Sequence, residues 1–118
     1  MKPPRDRNVI DAHVHVSPDS VGRLSEIMEA NGLSTVVNLG ILEVLDIPFE
    51  DGMRAFRESL GERMVYFTTP EFDDNAPGFG ERMADDLARK VDAGARGLKI
   101  FKELVLRPQD ADGPLIPV

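Results

Sequence analysis

Apolar residues fall in short blocks separated by glycine, proline and polar turns, and their period changes from block to block. Residues 9–16 alternate, with Ile10, Ala12, Val14 and Val16 on one side and Val9, Asp11, His13 and His15 on the other. That period of two predicts a strand whose apolar face packs on helices. Residues 17–20 read as a turn rich in N-cap candidates, after which Val21, Leu24, Ile27 and Met28 follow at helical spacing. Gly32 is placed to end that helix as its C′ residue. Residues 35–39 predict a second, buried strand, and residues 40–49 a longer apolar connection containing Pro48. Met53, Phe56 and Leu60 mark a second helix ending near Gly61, and residues 64–69 a third strand closed by Pro70. A polar loop over 71–78 leads to a third helix, with Phe79, Met83, Leu87 and Val91 on one side and Gly94 at its end. Residues 97–101 predict a fourth strand.

Strands alternating with helices through short connections predict an α/β fold, with four parallel strands, three intervening helices and right-handed crossovers. Residues 103–118 differ from the rest: the turn signal Asp110-Ala111-Asp112-Gly113 lies between two short apolar pieces, which predicts a hairpin or a loop. The oxygen ligands and closing glutamate of a calcium loop are missing there.

Composition narrows the function classes. A chain of 118 residues, 42% hydrophobic and 30% charged, has the make-up of one small globular domain. Its formal net charge of −7, with no basic cluster beyond the leader residues Lys2, Arg5 and Arg7, argues against nucleic acid or anionic membrane as the main partner. Cysteine is absent, which excludes disulfides and thiolate metal sites. With neither an apolar signal region nor a stretch of membrane-spanning length, the expected compartment is the cytoplasm.

Candidate chemistry concentrates at His13 and His15, the only two histidines. Two apart on one strand, they present both imidazoles to the same point, and imidazole is the commonest protein ligand for zinc and related divalent ions. They also fall at the C-terminal end of the strand, where α/β sheets and barrels place their sites. Asp11 shares their face one step deeper and could orient an imidazole. The alternative is two histidines on a solvated sheet face.

Asp11-Ala12-His13-Val14-His15 on a first strand, the βα order, and Gly94-Ala95-Arg96-Gly97-Leu98-Lys99-Ile100 entering the fourth strand together resemble the amidohydrolase superfamily, in its amidohydrolase-related branch of metal-dependent hydrolases and decarboxylases. The resemblance spans nearly the whole chain, as the N-terminal half of a (β/α)8 barrel, so residues 1–118 are expected to form a partial barrel domain. It implies that His13 and His15 are metal ligands, zinc first among the candidate ions. It also implies that Lys99 occupies the place where some branches bridge two metals through a carboxylated lysine. In the branch most resembled a single metal is usual, and Lys99 then reads as a cation supporting the ligands or facing the substrate, or as a lysine paired within the barrel. The family's further ligands and its proton-transferring aspartate belong to later strands.

The implied activity is attack of a metal-activated water on an amide, lactone or related carbon of a small-molecule substrate, or decarboxylation of a carboxylated acid in the same site. Two other readings stand beside it. One is a non-catalytic half-barrel or dimerising module, in which open edges at the first and fourth strands pair two copies. The other is a phosphoesterase or TatD-like metal enzyme, since those also open on a His-x-His strand, with Lys99, Lys102 and Arg107 as the few phosphate-facing cations.

Overall fold

The computed structural model describes residues 8–70 and 76–101. Strands β1 (Val9–Val14), β2 (Leu33–Leu39), β3 (Met64–Thr68) and β4 (Gly97–Leu98) form one parallel sheet in the order β1-β2-β3-β4. It is a curled half-barrel sheet, so the architecture is α/β as the alternation predicts. Helix α1 (Val21–Asn31), led in by a 3-10 turn at Pro18–Ser20, joins β1 to β2. Helices α2 (Ile41–Val44) and α3 (Phe49–Leu60), with a second 3-10 turn at Gly61–Arg63, join β2 to β3. Helix α4 (Phe79–Asp92) joins β3 to β4. The expected hairpin or loop over 103–118 and the basic leader lie outside the described residues.

The core sits between the inner sides of α1 and α3 and one face of the sheet. Val21, Leu24 and Met28 of α1 meet Phe49, Met53, Phe56 and Leu60 of α3 over Val36 of β2 and Tyr66 of β3, all buried. Tyr66 lies under two aromatic rings, edge-to-face with Phe49 at 5.7 Å and stacked with Phe56 at 5.8 Å. Val14 and Val16 pack against this cluster, so the apolar alternation of the first strand is used at its C-terminal end. At its N-terminal end Ile10 is 56% exposed, because β1 bonds to β2 alone among the described residues and its register slips twice along that pairing.

Several elements differ in extent from the sequence pattern. β2 starts at Leu33, two residues before the predicted strand, because Gly32 takes the left-handed conformation (φ 66°) and turns the chain directly into the sheet. The apolar connection contains the single turn α2, which is too short to show a helical period. α3 begins at Phe49 immediately after Pro48, with Glu50 and Asp51 in its first turn where the helix dipole favours negative charge. Helix α4 buries no apolar residue: Lys90 is its buried side chain, while Val91 is 56% exposed. β4 pairs over two residues, and Lys99 continues its line only through its N–H to the Thr68 carbonyl at 2.8 Å.

Candidate metal centre

The parallel register fixes which residues share a face. Val14 pairs with Asn38, and Asn38 with Tyr66, so these three point to the helix side. Alternation then sends His13 and the neighbouring position 15 to the opposite face, at the C-terminal end of β1. There the rings of His13 and His15 meet edge-to-face, centroids 5.0 Å apart and planes at 80°. Their Nε2 atoms stand 3.1 Å apart.

The proton on one ring is decided by its partner. His15 Nδ1 lies 2.8 Å from the Leu39 carbonyl oxygen, which can only accept, so Nδ1 carries the hydrogen and Nε2 presents a lone pair. A backbone carbonyl on the far nitrogen of an imidazole is the arrangement that orients metal-ligating histidines. Two nitrogens bound to one ion at about 2.0–2.1 Å stand about 2.8 to 3.4 Å apart between octahedral and tetrahedral angles. The observed separation falls within that span, and the donor set fits a zinc-like ion. Among the described residues no group of three or more His, Cys, Asp or Glu gathers at one point, so the pair offers at most two such donors there.

The other sequence-predicted residues divide. Asp11 Oδ1 accepts the backbone N–H of His13 at 3.1 Å, so it braces the chain beneath the ring rather than the imidazole itself. Lys99 is half-buried, with Nζ 5.6 Å from the centre of the Phe101 ring. That same ring stacks on His15 at 6.2 Å and 29°. Phe101 thus bridges the cation to the histidine pair and holds both at one corner of the sheet.

Three contributors carry weaker sequence signals. Gly40 is left-handed (φ 58°), and a Cβ there would stand 2.7 Å from Cε2 of Phe101, so the ring's seat depends on the missing side chain. Asn38 is a fully buried amide between Val37 and Leu39 near the end of β2, and an amide among such apolar neighbours is itself the signal of a buried polar role. The Leu39 carbonyl acts through the backbone, where side-chain identity says nothing.

A second polar cluster lies on the helix side. Glu43 of α2 receives the Tyr66 hydroxyl at 2.6 Å, the Thr68 hydroxyl, and Lys90 Nζ at 3.5 Å. Tyr66 in turn accepts the Leu42 N–H at 2.9 Å, and Lys90 reaches Asp86 at 2.9 Å. Burial, and then the hydrogen bond to Glu43, push the Tyr66 hydroxyl well above its ordinary value. Burial alone would raise Asp86, but hydrogen bonds from Lys90 and Arg89 hold its carboxyl below the ordinary value. Arg89 also pairs with Glu50 at the end of this network.

Compared with protein-family models, curated proteins and solved structures, the chain matches nothing. No helix among the described residues is long and apolar enough to cross a membrane.

Proposed function

We propose that this chain carries the first two ligands of an amidohydrolase-type metal centre. In this reading it is the N-terminal half of a (β/α)8 barrel that hydrolyses, or decarboxylates, a small cytoplasmic substrate. The observation that carries the reading is the convergence of two Nε2 atoms to 3.1 Å, with the His15 Nε2 lone pair turned toward His13 by the bond from Nδ1 to the Leu39 carbonyl. His13 and His15 would hold the ion, zinc first. A divalent ion held there supplies a water that ionises near neutral pH and a Lewis acid for a substrate carbonyl. His15 keeps its Nδ1 proton on Leu39, so its ring does not rotate away as the site fills. Lys99, half-buried beside the pair on Phe101, orients an anionic part of the substrate or supports the ligands.

A second reading is favoured by the sheet edges. Val9 and Ile10 of β1, and Leu98 and Ile100 at β4, are 39 to 56% exposed. Two copies meeting through these edges would bring two His-x-His pairs to one barrel mouth.

The test is zinc affinity, measured by competition with a chromophoric chelator, for the chain and for His13→Ala/His15→Ala. Stoichiometric binding lost in the double variant supports the metal centre and justifies screening amides, lactones and unsaturated carboxylic acids. Equal binding by both proteins overturns it. Light scattering at tens of micromolar separates the second reading, which requires a dimer.

A further inference from the structure

Asn38 is fully buried, and the core around it is apolar on one side. A buried amide is retained at low cost only when its donors and acceptor are satisfied. Here they are. Oδ1 accepts the Val16 N–H at 3.1 Å, and Nδ2 donates to the Val16 carbonyl at 2.8 Å and to the Met64 sulfur at 3.6 Å. Because the Val16 N–H can only donate and its carbonyl can only accept, the orientation of the amide follows from its neighbours.

This bond pair does the work of a strand ladder where the ladder has ended. β1 stops at Val14, whose Cα partner on β2 is Asn38 itself. Two residues on, the backbone of Val16 is held at both its polar groups by the Asn38 side chain. His15 lies between these fixed points, and its ring proton goes to the carbonyl of the next residue, Leu39. The Asn38-Leu39 dipeptide therefore governs the backbone on both sides of His15, its ring rotation and its tautomer.

We infer that Asn38 is a positioning residue of the metal centre, acting through Val16 and Leu39 to keep His15 Nε2 aimed at His13 Nε2. The inference rests on the metal-binding reading above. Groups that orient metal-ligating histidines from behind typically govern about 10- to 100-fold in metal affinity.

The experiment compares the chain, Asn38→Ala and His13→Ala/His15→Ala, each titrated with Zn2+ and with Co2+ as a spectroscopic probe. Thermal melting of the metal-free proteins reports folding separately. The expected result is that folded Asn38→Ala binds Zn2+ about 10- to 100-fold more weakly. Its visible Co2+ bands should also be shifted and weakened, a change that lost stability alone does not produce. Unchanged affinity with an identical Co2+ spectrum overturns the role of Asn38 while leaving the histidine pair intact. If instead the unsubstituted chain binds no better than the double-histidine variant, the metal-binding reading fails and the Asn38 inference with it. If Asn38→Ala does not fold, amide hydrogen exchange on the unsubstituted, metal-loaded chain decides. A Val16 N–H protected beyond the end of β1, and further protected by Zn2+, supports the inference; rapid exchange overturns it.

Discussion

Two polar clusters sit on opposite faces of the same sheet, and they are built differently. On the helix side, Glu43 and Lys90 have side chains only 5% and 6% exposed, and each of their charges is met inside the protein. A cavity of about 390 Å3 beside them is lined in part by Glu43, Asp86, Arg89 and Lys90, whose charges are paired with one another. On the other face, two exposed imidazoles point their Nε2 atoms at each other, and Lys99 has no carboxylate partner among the described residues. A saturated buried network ties α2 and α4 to β3. The imidazoles share one Nε2···Nε2 hydrogen bond at the C-terminal edge of the strands, where in the proposed reading a metal ion would take the place of the proton between them. Burial and charge alone would rank the first cluster as the more functional; the proposed reading places the function at the second, more exposed one.

The comparison breaks most readily at Lys90. Lys90→Met leaves Glu43 buried without its cation, and removing one partner of such a pair costs about 3–5 kcal/mol. Urea unfolding should show that loss while the folded variant keeps its zinc affinity; a loss of affinity instead would show that the clusters are coupled. The converse effect comes from metal. With free Zn2+ at about 100 times its Kd, the chain should gain about 2.7 kcal/mol, and His13→Ala/His15→Ala should gain none. Gly40→Ala places a Cβ at φ 58° and against Phe101. It should cost about 1–2 kcal/mol by chemical denaturation and weaken the stacking of Phe101 on His15.

The smallest effect is a pH dependence. The Asp86 carboxyl is held below its ordinary 3.8, so its contribution is complete above that value and is lost as the pH falls through the lowered folded value. Thermal melts between pH 5 and pH 2 should therefore fall less steeply for Asp86→Asn than for the unsubstituted chain. A parallel slope would show that the Lys90 and Arg89 bonds to Asp86 contribute nothing.

Much of this architecture is legible from local pattern. The α1 stripe Val21, Leu24 and Met28, its stop at Gly32 and the strands β2 and β3 follow from period and punctuation, because each uses neighbours within a few residues. The convergence of His13 and His15 is legible only in part: alternation places His13, but β1 slips register between Asp11 and Val14 and ends at Val14, so His15 depends on its bond to Leu39. Helix α4 does not follow from local pattern. Its apolar series Phe79, Met83, Leu87 and Val91 predicts an apolar contact face, yet Lys90 is buried and Val91 turned outward. The carboxylate that makes this affordable is Glu43, far away in the chain on a helical turn the apolar pattern does not reveal. Phe101 seats on His15 for a similar reason, since its place depends on the empty side-chain position at Gly40.

With only two histidines, the imidazole nitrogens give a simple 15N spectrum, and that spectrum tests the central claim most directly. In the metal-free chain, the account predicts a His15 protonated at Nδ1 at neutral and higher pH. On addition of one equivalent of Zn2+, the Nε2 signals of both histidines should move together while His15 Nδ1 keeps its proton. A His15 protonated at Nε2, or two spectra that Zn2+ leaves unchanged, would contradict it.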